Sequence, residues 1–433
     1  MRLRHAFTGI LVILVTTSAT RAQSVDLIEA PLADKCFRID LTFDLHGKIT
    51  VKQQGETVSF PHEAVGRHVY VERVLEATGG IVQKTVRQYE KAEALITFNK
   101  QPGSKKSLRP ERAFMATQRT RDELVVFSPK GSLTREEKEL TEHFDSLAVP
   151  GLVAGKSVKV GDTWKLATPV ALALCDLDGL TEHDITCKLE SVKEELATVT
   201  LSGSATGISL GAQVKLVVNA HYEFDTRDKR VVAAEWKQSD QRVQGPASPA
   251  MSADVVIKLK RTQIAEPMEL GNFALVQVPV EPSASLLRLS HHDVKGRYQL
   301  HHARDWHVVS SEDSPQLVLR LMDRGDFIAQ ATVTPWKRGD PVSLEKFTEL
   351  MKATPGWQEE QMLEKTELKN AGHALYRVTA SGSLNDVKTV QTFYLVVGPA
   401  GEQFLVSVSA VPTQVQKLGT RDQELVRSIT FPK

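Results

Sequence analysis

Phe37-Arg38-Ile39-Asp40-Leu41-Thr42-Phe43 decides the fold class. Apolar side chains at 37, 39, 41 and 43 alternate with Arg38, Asp40 and Thr42. Successive side chains of a β-strand point to opposite faces, so this spacing gives a half-buried strand one apolar and one polar side. The same period recurs outward from it, at Val69 and Val71, at Val82, Thr85 and Val86, and along Ala197-Thr198-Val199-Thr200-Leu201. Val214 to Val218 and Val255 to Leu259 continue it. Gly47, Gly55, Gly131, Gly161, Gly203, Gly207 and the stretch Asp225 to Asp228 read as turns between the strands. A helix interrupts the pattern where Thr134 and Glu137 form a capping box, followed by Leu140, Phe144 and Leu147 on one helical face. Residues 24–264 therefore read as a large, mainly antiparallel β-sheet domain with few helices.

In front of that domain, residues 1–22 have the three parts of a signal peptide. Arg2, Arg4 and His5 are followed by the apolar run Ala6 to Val15 and by Thr20-Arg21-Ala22, a small-x-small cleavage pattern. The run is too short for a bilayer-spanning anchor, and Cys36 follows Ala33-Asp34-Lys35, charged where a lipid-attachment motif is small and apolar. The expectation is a periplasmic or secreted protein with no membrane span once the signal is removed.

A chain of 433 residues exceeds what one core usually serves, so two bodies are expected. Its 41% apolar and 25% charged residues are those of a globular protein. Removing Arg2, Arg4 and Arg21 takes the formal charge from +1 to −2, which gives nucleic acid no electrostatic footprint. Of three cysteines, Cys175 and Cys187 are near enough in sequence to be bridged over a turn in an oxidising compartment, leaving Cys36 over. The other reading makes all three small buried hydrophobes.

Pro267, Pro279 and Pro282 break the pattern at 265–285, which reads as a linker. From 286 to 433, helices interleave with strands. Leu317 to Leu321 and Ile328 to Val333 lead to a helix at Leu344 to Met351. Strands follow at His373 to Val378, Val390 to Val397 and Gln403 to Ser409, the last two joined by a turn at Gly398 and Gly401. A final helix is capped by Thr420 with Gln423 three later. The class is α+β, with this second body an α/β/α sandwich.

Tyr298-x-Leu300 leading to Asp305-Trp306, the middle helix, the Leu375-Tyr376 strand, the hydrophobic hairpin and the terminal Ile429-Thr430-Phe431 together resemble the PsbP-like fold family. That family includes a photosystem extrinsic protein, a Ran-binding nuclear-transport factor and many exported bacterial proteins. The resemblance covers the last third of the chain and departs from the family at Ala303-Arg304, where an aromatic-Pro pair usually precedes the Trp. It implies a non-enzymatic binding or stabilising domain and transfers no catalytic residue. The first domain, with Val160-Gly161-Asp162-Thr163-Trp164 opening its second half, is similar to uncharacterised exported β-rich proteins.

Chemical motifs are sparse. Gly151 to Ser157 has three residues between its glycines where a phosphate loop needs four, and a strand follows it instead of a helix. Arg324-Gly325-Asp326 and Arg338-Gly339-Asp340 read as turns. The acid pairs Asp176/Asp178, Glu194/Glu195 and Glu359/Glu360 lie too close along the chain to face each other across a cleft. Ser204 and Ser383 lack a nucleophile elbow. His291, His292, His301, His302 and His307 cluster and are read as solvated surface groups. If they hold a metal, His292, His301 and His307 are the ligands, since neighbours in a strand face opposite ways.

Trp164 and Trp306 read as buried strand-start anchors. Trp336 and Trp357, beside Pro335 and Pro355-Gly356, read as loop residues that contact a partner or fold back on their own domain. No cofactor is expected. The function expected is that of an exported, non-catalytic binding or scaffolding protein with a partner in the cell envelope. The alternatives are a carrier that curls the N-terminal sheet around a lipid or hydrophobic peptide, and a hydrolase whose residues converge only in space.

Overall fold

The computed structural model describes residues 24–53, 56–78, 81–120, 124–311, 314–369 and 372–432, so the expected signal at 1–22 lies outside the described residues. The Phe37–Phe43 alternation sits in strand Cys36–Gln53, 18 residues long, which pairs with Glu56–Thr78 on one side and Ala250–Ile264 on the other. Across the main path of the sheet the order is Leu124–Phe127, Phe114–Arg119, Ile81–Phe98, Glu56–Thr78, Cys36–Gln53, Ala250–Ile264, Arg230–Arg242, Ala212–Asp225, Leu196–Ser209, Thr186–Lys193 and Thr163–Lys165. Neighbours in this path pair antiparallel, and the path is open at both ends.

Gly47 and Gly203, expected in turns, lie inside strands, as does Gly207. Gly47 stands opposite Ala253 and His62, and a Cβ there would meet Ser252 O at 2.5 Å. At Gly203 the added atom would meet Ile185 Cα at 2.6 Å. Both glycines mark close approach of neighbouring backbone.

One face of the sheet is covered by the Arg135–Glu142 helix, the 3-10 segment Ser146–Leu152 and the Thr168–Leu174 helix. Ile39, Leu41, Tyr70, Val199 and Leu216 share one core with Leu147, Leu152 and Leu174 from this cover. The capping box forms as read: Glu137 N donates to Thr134 Oγ1 at 3.2 Å and Thr134 N to Glu137 Oε2 at 2.9 Å. Beneath the cover, buried Arg87 donates to Glu72 Oε2 at 2.7 Å and to Ser146 Oγ at 3.0 Å, so the charge is paired where water is excluded.

The expected linker at 265–285 is instead a docked strap. Leu270, Leu275 and Val278 pack on Val71, Val86, Phe114 and Phe127, on the sheet's other face. Lys84 Nζ donates to Pro279 O at 2.6 Å and Val280 O at 2.7 Å, and Arg73 donates to Leu270 O at 2.9 Å. Apolar residues alternate with the prolines there, so the segment buries one side. Its other side carries Met268, Phe273, Val276 and Val280, between 84% and 95% exposed.

The C-terminal body is a seven-stranded antiparallel sheet ordered Trp306–Val308, Leu317–Asp323, Asp326–Arg338, Glu402–Ala410, Val387–Val397, Ala374–Leu384 and Trp357–Glu367. Phe393 and Leu395 pack with Phe347 and Met351 of the Leu344–Lys352 helix. Tyr394 and Val396, one residue out of phase, pack with Leu425 and Val426 of the Arg421–Arg427 helix. One helix therefore lies on each face, which gives the expected three layers. The cap expected at Thr420 differs: its hydroxyl bonds Glu424 Oε1 at 3.1 Å instead of capping the helix backbone. Among the described residues no helix is long and apolar enough to cross a membrane.

Candidate functional site

Beyond Phe43 the main sheet outruns its cover. The register places Phe43, Leu45, Gly47, Ile49 and Val51 opposite Gly66, Ala64, His62, Phe60 and Val58 on one neighbour, and opposite Ile257, Val255, Ala253 and Met251 on the other. Directly opposed residues share a face, so these form one apolar surface. Phe43, Leu45, Ile49, Phe60 and Val255 are only half-buried on it. The Phe43 ring lies over Gly66, where a Cβ would come within 2.2 Å of it.

A groove of about 720 Å3 opens on this surface, between the sheet and the C-terminal body. Phe43, Ala64, Ala94 and Ile96 form its floor, and the Arg135–Glu142 helix with His143 forms one wall. Ser290 to Val294, Tyr298, His302 and the 308–317 segment form the other. Polar contacts fix the opposite wall. Ser290 N donates to Leu133 O at 2.8 Å and Arg135 donates to Val308 O at 3.2 Å. Arg304 reaches Glu142 Oε1 at 2.9 Å, Leu287 O at 3.0 Å and Val126 O at 2.5 Å.

Two buried histidines, His143 in the wall and His68 behind Phe43, were not singled out by the sequence. His68, almost wholly buried, stacks on Phe43 with ring centroids 5.8 Å apart and lies 4.6 Å from His143. Both His68 ring nitrogens lack a partner among the described residues, and burial with the neighbouring His143 holds the ring far below the ordinary histidine range. His143 is held at about 4 by burial, and its Nδ1 bonds Leu140 O at 2.9 Å. The signal for this corner was the odd-numbered continuation past Phe43 to Leu45 and Ile49, with His68 two residues past Gly66 on the facing strand.

The histidine cluster divides. Leu289–His292 and Gln299–His302 form the hairpin, with Ser290 opposite His301 and His291 opposite Leu300. The pleat sets His292 and His301 on one side and His291 and His302 on the other. His307 lies near His302 and Arg135, so His292, His301 and His307 do not converge as a ligand set. Among the described residues no group of three or more His, Cys, Asp or Glu side chains is placed to hold a metal ion. The solvated reading fails for His302, which is 2% exposed and held at about 4 by burial. The reason is the hairpin's pairing, which presses that face onto the groove wall.

Trp336 and Trp357 do not stand in partner-facing loops. Trp336 lies within strand Asp326–Arg338 with its ring 5.8 Å from Phe347, edge to face. Trp357 starts its strand and is buried, its ring against Gly382. Pro335 is itself paired, with Phe404, and the strand bulges just after it, whereas Pro355 precedes the pairing of Trp357 with Leu384; both rings pack on their own domain. Trp306 is buried as expected, and Trp164 packs half-buried on the main core. Cys175 and Cys187 are free and buried, not bridged: one caps the Thr168–Leu174 helix, the other faces the core from strand Thr186–Lys193 opposite Trp164. Burial pushes both thiols up to about 12, which leaves them inert hydrophobes, and Cys36 is buried too.

No family model matches the chain, and no curated protein matches its sequence. Among solved structures it is similar to cyanobacterial PsbP from Synechocystis at 11% identity, over 36% of this chain and 96% of that one, with a TM-score of 0.25. It is similar to DynF of the dynemicin biosynthesis pathway of Micromonospora chersina at 9% identity, over 60% and 94% of the two chains, with a TM-score of 0.14. A DUF1329 family protein from Desulfovibrio piger aligns at 10% identity, over 56% and 92%, with a TM-score of 0.12. Overlaps this loose leave the groove to be read from its own residues.

Proposed function

We propose that this chain is a non-catalytic binding protein, working outside the cytoplasm, that holds an elongated apolar molecule in the groove between its two bodies. One observation carries this reading: the apolar sheet face continues past its own cover, and where it emerges Phe43, Ala64, Ala94 and Ile96 floor a cavity of about 720 Å3. Ligand sites are concave and join apolar surface to polar groups that orient what they hold, and this groove sets an apolar floor of Phe43, Ala64, Ala94 and Ile96 between walls rich in polar side chains. The interaction reading through Trp336 and Trp357 loses support, because both rings are used in packing. The C-terminal body keeps its proposed PsbP-like kinship on the order of its elements.

The test is titration of the full chain with N-phenyl-1-naphthylamine, a neutral dye that brightens in apolar surroundings. Saturable binding at one dye per chain is expected. Ala64→Leu and Ala94→Leu fill the floor and should weaken it about tenfold or more, with thermal midpoints confirming that both variants fold. Absence of saturable binding, or affinity unchanged in both folded variants, would overturn the reading.

A further inference from the structure

Two buried imidazoles in the groove wall have a fixed tautomer. His302 Nδ1 lies 2.9 Å from Ala303 O, and His143 Nδ1 lies 2.9 Å from Leu140 O. A carbonyl oxygen only accepts, so in each ring Nδ1 carries the hydrogen and Nε2 is left as a lone-pair acceptor. Both rings are neutral at pH 7 because burial disfavours their charged form. Neither Nε2 has a partner among the described residues, and both atoms are buried. Both residues line the groove.

The groove's cations offer an anion little. Arg297 holds both oxygens of Asp293, at 2.7 and 2.8 Å, and Arg135 holds Glu139 at 2.6 Å. Lys106 is also partnered, and Glu136 adds a further carboxylate to the lining. Two acceptors without donors, in a wall whose positive charges are engaged, define the missing group by its chemistry.

We propose that the groove selects amphipathic molecules whose uncharged polar end donates hydrogen bonds, such as a hydroxyl or primary amide, over molecules ending in a carboxylate. This rests on the apolar-binding reading above. A hydroxyl hydrogen satisfies an imidazole lone pair. A carboxylate has none to give, and it would be desolvated beside an acceptor.

Displacement of N-phenyl-1-naphthylamine by 1-monopalmitoylglycerol and by palmitate at pH 7 decides the matter. The chains are equal in length, and the monoglyceride is expected to compete about tenfold better, the worth of one good hydrogen bond. His302→Phe with His143→Phe keeps the ring volume, removes both acceptors and should bring the two lipids level, each displacement being read against that variant's own dye affinity. His302→Gln, which restores an acceptor, should recover part of the preference. If the dye does not bind, the binding reading fails and takes this inference with it. If the dye binds but palmitate competes equally or better, or the preference survives the double substitution in folded protein, this inference alone is overturned.

Discussion

The strand Cys36–Gln53 has two halves that differ in what covers them. From Phe37 to Leu41 its apolar side chains lie under the Ser146–Leu152 and Thr168–Leu174 segments, within one continuous core. From Phe43 to Val51 the same face, in the same register and with the same kind of side chains, is half-buried, and Phe43 at its start floors a groove. Tyr70 and Arg87, beneath the cover, are satisfied by Ser146. His68, at the boundary, is not satisfied at all. Cover separates the two halves: the closed half contributes stability, and in the proposed function the open half presents binding surface.

Substitution on either side of that boundary gives the largest effect. Leu41→Ala removes a fully packed side chain and should cost about 2–5 kcal/mol in denaturant unfolding. Leu45→Ala, four residues on and on the same face, has less packing to lose and should cost under about 1.5 kcal/mol. Equal losses would mean that the open half is packed as tightly as the closed one, which would remove the groove.

Acid should expose the boundary histidines. The folded rings of His68 and His143 resist protonation, whereas an unfolded histidine titrates near about 6.5. As pH falls below that value the unfolded chain takes up protons that the fold refuses. Each ring then removes about 1.4 kcal/mol of stability per pH unit. For His143 the loss ends near pH 4, where the folded ring protonates as well, and for His68 it continues lower. Denaturant midpoints at pH 7, 6 and 5 should fall steadily, and His68→Phe should flatten the fall. An unchanged slope in that variant would place the pH sensitivity elsewhere.

A smaller effect tests the groove wall. Thr134→Ala removes the bond to Glu137 N that starts the Arg135–Glu142 helix and should cost about 1 kcal/mol. Because that helix is a wall of the groove, dye affinity should fall along with stability, and loss of stability with dye affinity intact would place the helix outside the binding surface.

The sequence made strand faces legible and left their covering illegible. Phe37, Ile39 and Leu41 have the same period as Phe43, Leu45 and Ile49, and periodicity states a direction without saying what lies that way. Gly47 and Gly203 misled as turns because a glycine that ends a strand and one that lets backbone approach look alike in one dimension. The C-terminal layers were readable, since Phe393-Tyr394-Leu395-Val396 is apolar at every position and so is buried on both sides. Trp357 was misplaced because Pro355 and Gly356 do mark a turn, and only the pairing with Ala374–Leu384 shows that the ring beyond it points inward. The groove could not be read at all, because its walls meet from residues about 150 apart.

The strap at 265–285 repeats the contrast within one short segment, and there the smallest effect is expected. Leu270, Leu275 and Val278 face the sheet, while Phe273 and Val276 stand almost free of contact. Phe273→Ser should therefore change stability by no more than about 0.5 kcal/mol. Leu270→Ser, three residues earlier, places a hydroxyl among Val86, Phe114 and Phe127 and should cost several times as much. A large loss from Phe273→Ser would mean that the ring packs against something in solution, and the strap would then have no open side. A negligible loss leaves the Phe273 ring outside the packing that holds the strap, as its 95% exposure requires.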